Sequence, residues 1–273
     1  MKFKCGDYSF DLSSPVVMGV LNVTPDSFSD GGMYREHQRA FDYAMKMAAD
    51  GAGIIDVGGE STRPGAKAVS VNEELERVIP VISELAGSCG VPISIDTTKP
   101  EVMREAIVAG AALVNDVNAL RSEGAVEVVS SSQVGVCLMH MQRKPETMQQ
   151  NPQYENVVEE VGGFLQRRVT DCVEAGIDVH RIAVDPGFGF GKSYEHNVSL
   201  FSGLDELVRM GYPVLAGVSR KSMLGEITGL EANERLIPSV VAAVMAVARG
   251  CQLVRVHDVA ETVQALSVYQ SLK

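Results

Sequence analysis

Short β-branched apolar runs alternate with longer stretches of helical periodicity along the whole chain. Eight such runs stand out, at 16–23, 54–58, 92–96, 113–117, 135–140, 182–185, 214–219 and 253–257. They are almost continuously apolar, as strands buried on both faces of a parallel sheet are. Helix signals fill the gaps between them. Asn72-Glu73-Glu74 opens a stretch with Leu75, Val78, Ile79 and Ile82 at helical spacing, and Pro100-Glu101 opens another. Residues 156–175 form an amphipathic stretch ending at Gly176, and Pro238 precedes the almost wholly apolar run 239–248. Strand and helix signals alternate with no linker, low-complexity tract or charge block, which predicts a single α/β domain over 1–273. About eight units favour a closed (β/α)8 TIM barrel over an open sheet. No Gly-rich dinucleotide fingerprint follows the first strand, which also disfavours the open sheet.

Barrel enzymes carry their functional groups at the C-terminal ends of the strands. The predicted strands end in Asn22, Asp56, Asp96, Asn115-Asp116, His140, Asp185, Ser219-Arg220-Lys221 and Arg255-x-His257. One such residue could cap the next helix, and Asp116 and Asp56 suit that bland reading. A ring of them at one rim is hard to explain by capping, because caps sit in the loop beyond the strand. Arg63, Lys221, Arg255 and His257 can converge on an anion, and Arg255 and His257 are two apart and so share a face. Asp96, Asn115 and Asp185 form a carboxylate–amide group. A flat heterocycle could satisfy it, and so could an ion-pair network with Lys221 or Arg255.

Three loops add to this. NVTPDSFSDGG at 22–32 places Phe28 between polar residues, as in a mobile lid, although an ordinary Ω-loop reads the same way. GGESTRPG at 58–65 presents Thr62, Arg63 and Pro64. DPGFGFGK at 185–192 has glycines that would let a ligand approach the backbone, but it lacks the Walker spacing of a phosphate loop. Ser219 to Ser222 opens a helix whose free N–H groups would favour a carboxylate or phosphate.

Composition narrows the class further. Of 273 residues 45% are apolar, enough for a sizeable core, and 24 basic against 35 acidic residues leave a net charge of −11. That surface repels nucleic acid and anionic membranes, so neither is expected as a partner. The five cysteines are odd in number and widely spaced, which suits a reducing compartment rather than a disulfide framework. The apolar run at 16–20 is too short for a signal segment, and no run reaches the ~18 residues of a membrane span. The chain reads as cytoplasmic.

The three loop motifs, Ser219 to Ser222, ISID ending at Asp96, LVND around Asn115 and RVHD from Arg255 together resemble the dihydropteroate synthase family, in order and over nearly the whole chain. The resemblance implies a (β/α)8 barrel that is usually a homodimer. It implies condensation of 6-hydroxymethyl-7,8-dihydropterin diphosphate with 4-aminobenzoate to give 7,8-dihydropteroate and diphosphate, the folate step that sulfonamides target. It further implies that Asn22 binds Mg²⁺, helped by Asp30, and that Arg63, Arg255 and His257 hold the diphosphate near Thr62. Asp96, Asn115 and Asp185 would hydrogen-bond the pterin edge, with Lys221, Met139 and Phe190 against its ring. Phe28, Pro64, Ser219 and Ser222 would shape the aminobenzoate site. Two positions depart from the family, which usually has Gly where Arg143 and Pro238 stand.

The chemistry expected of such a site is a dissociative displacement. Loss of diphosphate leaves a cation stabilised by the electron-rich pterin, and the enzyme's main task is to neutralise the leaving group. Asp96 and Asp185 would stabilise positive charge on the ring, while Lys221, Arg255 and His257 serve the departing anion. An arylamine is already neutral at pH 7, so no strong general base is required. Two rival readings stay open on the sequence: a methyl-pterin methyltransferase that serves a corrinoid protein, and a non-catalytic pterin-binding subunit.

Overall fold

The computed structural model describes residues 1–24, 33–61, 69–143 and 147–273. The chain opens with an antiparallel hairpin, β1 (Lys2–Cys5) and β2 (Tyr8–Asp11). Eight strands then form one parallel sheet: β3 (Val16–Asn22), β4 (Ile54–Gly58), β5 (Ile93–Asp96), β6 (Leu113–Asp116), β7 (Gly135–Met139), β8 (Ile182–Asp185), β9 (Leu215–Ala216) and β10 (Leu253–Val256). Their order is β8-β7-β6-β5-β4-β3-β10-β9, and a parallel bridge from Val184 to Val214 joins the two ends. The sheet is therefore the (β/α)8 barrel that the apolar runs predict.

Helices follow the strands as expected: α1 (Met33–Ala49), α2 (Val71–Ala86), α3 (Pro100–Val108), α4 (Ala125–Ser130), α5 (Val157–Glu174), α6 (Tyr194–Ser202), α7 (Leu204–Val208), α8 (Ser222–Thr228), α9 (Leu236–Ala248) and α10 (Val259–Leu272). Ser70 caps α2, one turn before the acidic pair that marks it in the sequence. Asn156 caps α5 by accepting from Val158 and Glu159, and Gly176 follows that helix with φ +92°. Pro238 lies inside the first turn of α9, where a missing N–H costs no helical bond.

The expected seventh strand, 214–219, shrinks to two residues. The Gln252 carboxamide caps the N–H of Val214, and the chain leaves the ladder at Gly217. The hairpin has no counterpart in the sequence reading. Phe3 and Cys5 are fully buried against Met18, Ile54, Leu113, Cys137 and Leu253, so the hairpin plugs the N-terminal mouth of the barrel. Its backbone comes so near β7 that a Cβ at Gly135 would lie 2.8 Å from the Lys4 carbonyl oxygen.

This plug divides the barrel interior into layers. Side chains alternate along a strand, so residues two apart share the inner face. Ile54, Leu113, Ala183 and Leu253 make an apolar layer. Two residues on, roughly 7 Å nearer the C-terminal mouth, the same strands present Asp56, Asn115, Asp185 and Arg255. The outer face of the strands packs on the helices through Ile55, Val57, Ile95, Val136, Val184 and Val254.

Candidate active site

Arg255 is the centre of the polar layer. Its Nε donates to Asp56 Oδ2 at 2.6 Å and its Nη2 to Asp96 Oδ2 at 2.8 Å. Asp56 Oδ2 also accepts from Asn115 Nδ2 at 2.9 Å, which sets the direction of that amide. The ion-pair alternative raised by the sequence is thus realised between Arg255 and Asp96. Asp56, which suits a cap in the sequence, caps nothing. It is fully buried inside the barrel and ties a cation to an amide. Asp116 does not cap the next helix either, since α4 starts after Gly124 with no side-chain cap; it accepts from the N–H groups of Asn118 and Leu120 and so braces its own loop.

Three carboxylates so close share limited positive charge. Burial pushes the Asp96 carboxyl up to about 7, against the pull of Arg255 and with repulsion from Asp56. Burial also raises Asp185, opposed by the Gly187 N–H, Lys221 and Arg255. Burial pulls the Arg255 guanidinium down, but Asp56 and Asp96 outweigh it and hold Arg255 above its ordinary range. It stays a cation at any working pH.

The loop after β8 carries the next group. Asp185 Oδ1 accepts from Gly187 N–H at 2.7 Å. The loop glycines were expected to admit a ligand, and the structure assigns Gly187 a different task. At φ +71°, its Cβ would fall 1.9 Å from the His140 carbonyl oxygen, so the residue lets the loop press on the protein's own backbone. Lys192 lies beneath this loop, 3% exposed, with Nζ 3.0 Å from His140 Nδ1, 2.9 Å from Gly187 O and 3.0 Å from Phe190 O. It therefore binds the loop from inside rather than a phosphate. Above it, Lys221 Nζ sits 4.2 Å from the Phe190 ring centre. Phe190 and Met139 pack with Val117, Met141 and Met148 into an apolar wall beside the carboxylates.

Lys221 is held by the turn before α8. Arg220 has φ +60°, a left-handed conformation costly for a residue with a Cβ. Its surroundings over-determine it: the N–H donates to Ser239 Oγ, the guanidinium pairs with Asp258, and Arg235 donates to its carbonyl. Ser219, on one side of this kink, turns its hydroxyl to His257 Nδ1 at 2.9 Å, while Ser222 is exposed at the start of α8. Burial, with repulsion from Arg255 and Arg220, pushes the His257 imidazole down to about 4, so it is neutral at pH 7.

Asn22 ends β3, and its Oδ1 and Asp96 Oδ2 would each lie 3.8 Å from a Cβ at Gly58. Phe28, Asp30, Thr62, Arg63 and Pro64 lie outside the described residues. The second loop is tied at its root, where Glu60 accepts from Val69 N–H and pairs with Lys99, which also pairs with buried Glu74. Lys99 belongs to no motif in the sequence, and the segments that contain Glu74 and Lys192 mark a helix start and a glycine loop without pointing to these contacts. For Asp56 the signal was available, since it stands two residues before the end of its strand, on the inner face.

Arg143, which stands where the resemblance leads one to expect Gly, adopts φ +63°. The position demands what Gly supplies without strain. Arg143→Gly should therefore be more stable than Arg143→Ala by about 1 kcal/mol in thermal denaturation, the reverse of the usual order. Equal stabilities would show that the left-handed geometry is not retained.

A barrel whose polar layer opens at the C-terminal strand ends defines the class, a (β/α)8-barrel enzyme. Comparison with known proteins takes it further. The family described as pterin binding enzyme matches residues 18–257. Dihydropteroate synthase of Escherichia coli K12 is 49% identical over 271 residues, covering 99% of this chain and 96% of its own. The Xanthomonas albilineans dihydropteroate synthase structure with 4-aminobenzoic acid aligns with a TM-score of 0.94 at 50% identity, covering 99% of this chain and 97% of that one. A Yersinia pestis dihydropteroate synthase structure with a sulfonamide drug complex aligns with a TM-score of 0.94 at 46% identity, over 100% and 99% of the two chains. The chain belongs to the dihydropteroate synthase family, a family of transferases.

Proposed function

We propose that the C-terminal rim condenses 6-hydroxymethyl-7,8-dihydropterin diphosphate with 4-aminobenzoate, releasing 7,8-dihydropteroate and diphosphate, and that this one barrel holds the whole activity. The observation that carries the reading is Arg255, a cation bonded to Asp56 and Asp96 and facing Asp185 across the same mouth. A structure of the Xanthomonas albilineans enzyme in complex with 7,8-dihydropteroate, 47% identical with a TM-score of 0.91, supports the product.

In this reading Asp96, Asn115 and Asp185 receive the N–H and amino groups of the pterin. Met139, Phe190 and Lys221 cover its faces. As the methylene carbon–oxygen bond breaks, positive charge spreads into the ring, and the buried carboxylates Asp96 and Asp185 stabilise it. The bonding pair leaves with the diphosphate, whose charge meets Arg255, His257, Lys221 and Arg63. The amine of 4-aminobenzoate attacks the freed carbon and gives its proton to solvent. Thr62 stands by the diphosphate, and Phe28, Pro64, Ser219 and Ser222 shape the second substrate's site.

A Mg²⁺ ion would be held by Asn22 and Asp30 together with the diphosphate. The donor set fits, because Mg²⁺ takes oxygen ligands and keeps few from the protein. The Asn22 amide has no hydrogen-bond partner among the described residues, and those residues hold no cluster of three His, Cys, Asp or Glu that would suit another metal. When bound, the ion would add to the neutralisation of the leaving group. Mass detection of the condensed product with and without Mg²⁺ tests the whole reading. No product from the two substrates under either condition would sink it.

Among the described residues no helix is long and apolar enough to cross a membrane. All five cysteines are free and buried, which supports a reducing, cytoplasmic setting. A homodimer is the proposed assembly. Ile237, Val241 and Met245 are 71%, 50% and 42% exposed at successive turns of α9, and Val268 of the adjoining α10 is 59% exposed. An exposed apolar stripe of this kind suits a two-fold partner. Val241→Glu should halve the mass seen by sedimentation, and an unchanged mass would place the contact elsewhere or remove it.

A further inference from the structure

We infer that Ser219 sets the tautomer of His257, so that the imidazole meets an anionic ligand with its proton on Nε2. The inference rests on the proposed role of His257 at the diphosphate. Its physical content lies in one hydroxyl. Ser219 Oγ accepts from the backbone N–H of His257 at 3.3 Å and lies 2.9 Å from His257 Nδ1.

A serine hydroxyl has one hydrogen to give and two lone pairs to receive. One lone pair is taken by the His257 N–H. If Nδ1 carried the proton, it would donate into the second lone pair and leave the serine hydrogen without an acceptor. Ser219 is 5% exposed, and its hydroxyl has no other partner among the described residues. A buried hydroxyl hydrogen without an acceptor costs about 1–3 kcal/mol. With the proton on Nε2 every group is satisfied: the backbone N–H donates to Oγ, Oγ–H donates to Nδ1, and Nε2–H is left for a ligand.

The arrangement is fixed at both ends. Tyr43 Oη donates to the His257 carbonyl at 3.2 Å, and Ser219 is held by the kink at Arg220, whose N–H donates to Ser239 Oγ. Nε2 makes no hydrogen bond to any described residue. Burial and the neighbouring Arg255, Arg220 and Lys221 disfavour the imidazolium, with Asp258 alone opposing them, so the choice between the two neutral forms decides what the ring offers. Only the Nε2–H form presents a donor to phosphate oxygens. The other would present a lone pair and repel them. Ser219 is thus a positioning residue acting through His257.

The test is a long-range ¹H–¹⁵N spectrum of the full-length protein labelled at histidine, with the His257 signals identified by their loss in His257→Gln. The unmodified protein should show Nε2 protonated. Ser219→Ala should give a mixture or the Nδ1–H form, and Ser219→Thr, which keeps the hydroxyl, should restore the original pattern. Affinity for inorganic diphosphate should fall about tenfold in Ser219→Ala and recover in Ser219→Thr, the loss of one good hydrogen bond. A proton on Nδ1 in the unmodified protein, or a tautomer unmoved by Ser219→Ala, overturns the inference. A tautomer that changes while diphosphate affinity does not overturns the ligand role of His257 and leaves the part played by Ser219 supported.

Discussion

Arg255→Ala should lower kcat for dihydropteroate formation by a factor on the order of 10²–10³, the cost of removing one preorganised partner of developing charge. The same change should destabilise the fold by about 3–5 kcal/mol, because it leaves Asp56 and Asp96 buried together without their cation. Without Arg255 the Asp96 carboxyl rises further and takes up a proton at higher pH than in the wild type, so the destabilisation should shrink as pH falls toward about 7 and level off below it. The two effects separate in a double variant. Adding Asp56→Asn to Arg255→Ala removes one of the stranded charges, and stability should recover in large part while activity stays lost. Chemical denaturation and a diphosphate-release assay read the two. Recovery of activity along with stability would mean that Arg255 serves only the fold. Near-normal turnover in the single variant would remove its part in the reaction.

Lys192→Met should have the second largest effect. It replaces an amine that bonds His140 Nδ1 and the carbonyls of Gly187, Phe190 and, more loosely, His140 by a thioether that can satisfy none of them. A loss of about 2–4 kcal/mol at pH 9 is expected, from buried acceptors left unpaired. Because the same loop carries Asp185 and Phe190, KM for the pterin substrate should rise more than kcat falls. Stability should also change its dependence on pH. Burial pushes the Lys192 amine down to about 7, while the unfolded chain holds it near ~10.4. Between those values the unfolded chain binds the extra proton, so the wild type should gain stability as pH rises from about 7 to about 10. The gain is at most ~1.4 kcal/mol per pH unit, and the variant should lack it. Denaturation midpoints of both proteins across that range decide the matter. Parallel curves would show that Lys192 keeps an ordinary amine in the folded state.

Much of this molecule was legible in its sequence because periodicity and strand-end polarity are local. Seven of the barrel strands lie within about two residues of the expected runs, since continuous β-branched residues between turns have few other ways to be buried. The eighth is shorter than its apolar run for a physical reason. Pairing, not propensity, ends a strand, and Gly217 leaves the ladder although Val218 is as apolar as its neighbours. The hairpin is not legible in the sequence because two four-residue strands carry little periodic signal, and their stability comes from the barrel mouth that they fill.

The sequence by itself determined which residues could face a ligand, because alternation along a strand and its place in the chain put Asp96, Asn115, Asp185 and Arg255 at one rim. The tertiary structure alone decided what those residues do to one another. It made Asp56 the partner of Arg255, brought Lys192 against His140, and turned Ser219 toward His257. Each of these contacts joins strands or loops far apart in the chain, where direction and distance are set by barrel closure, and closure leaves no mark on any single segment.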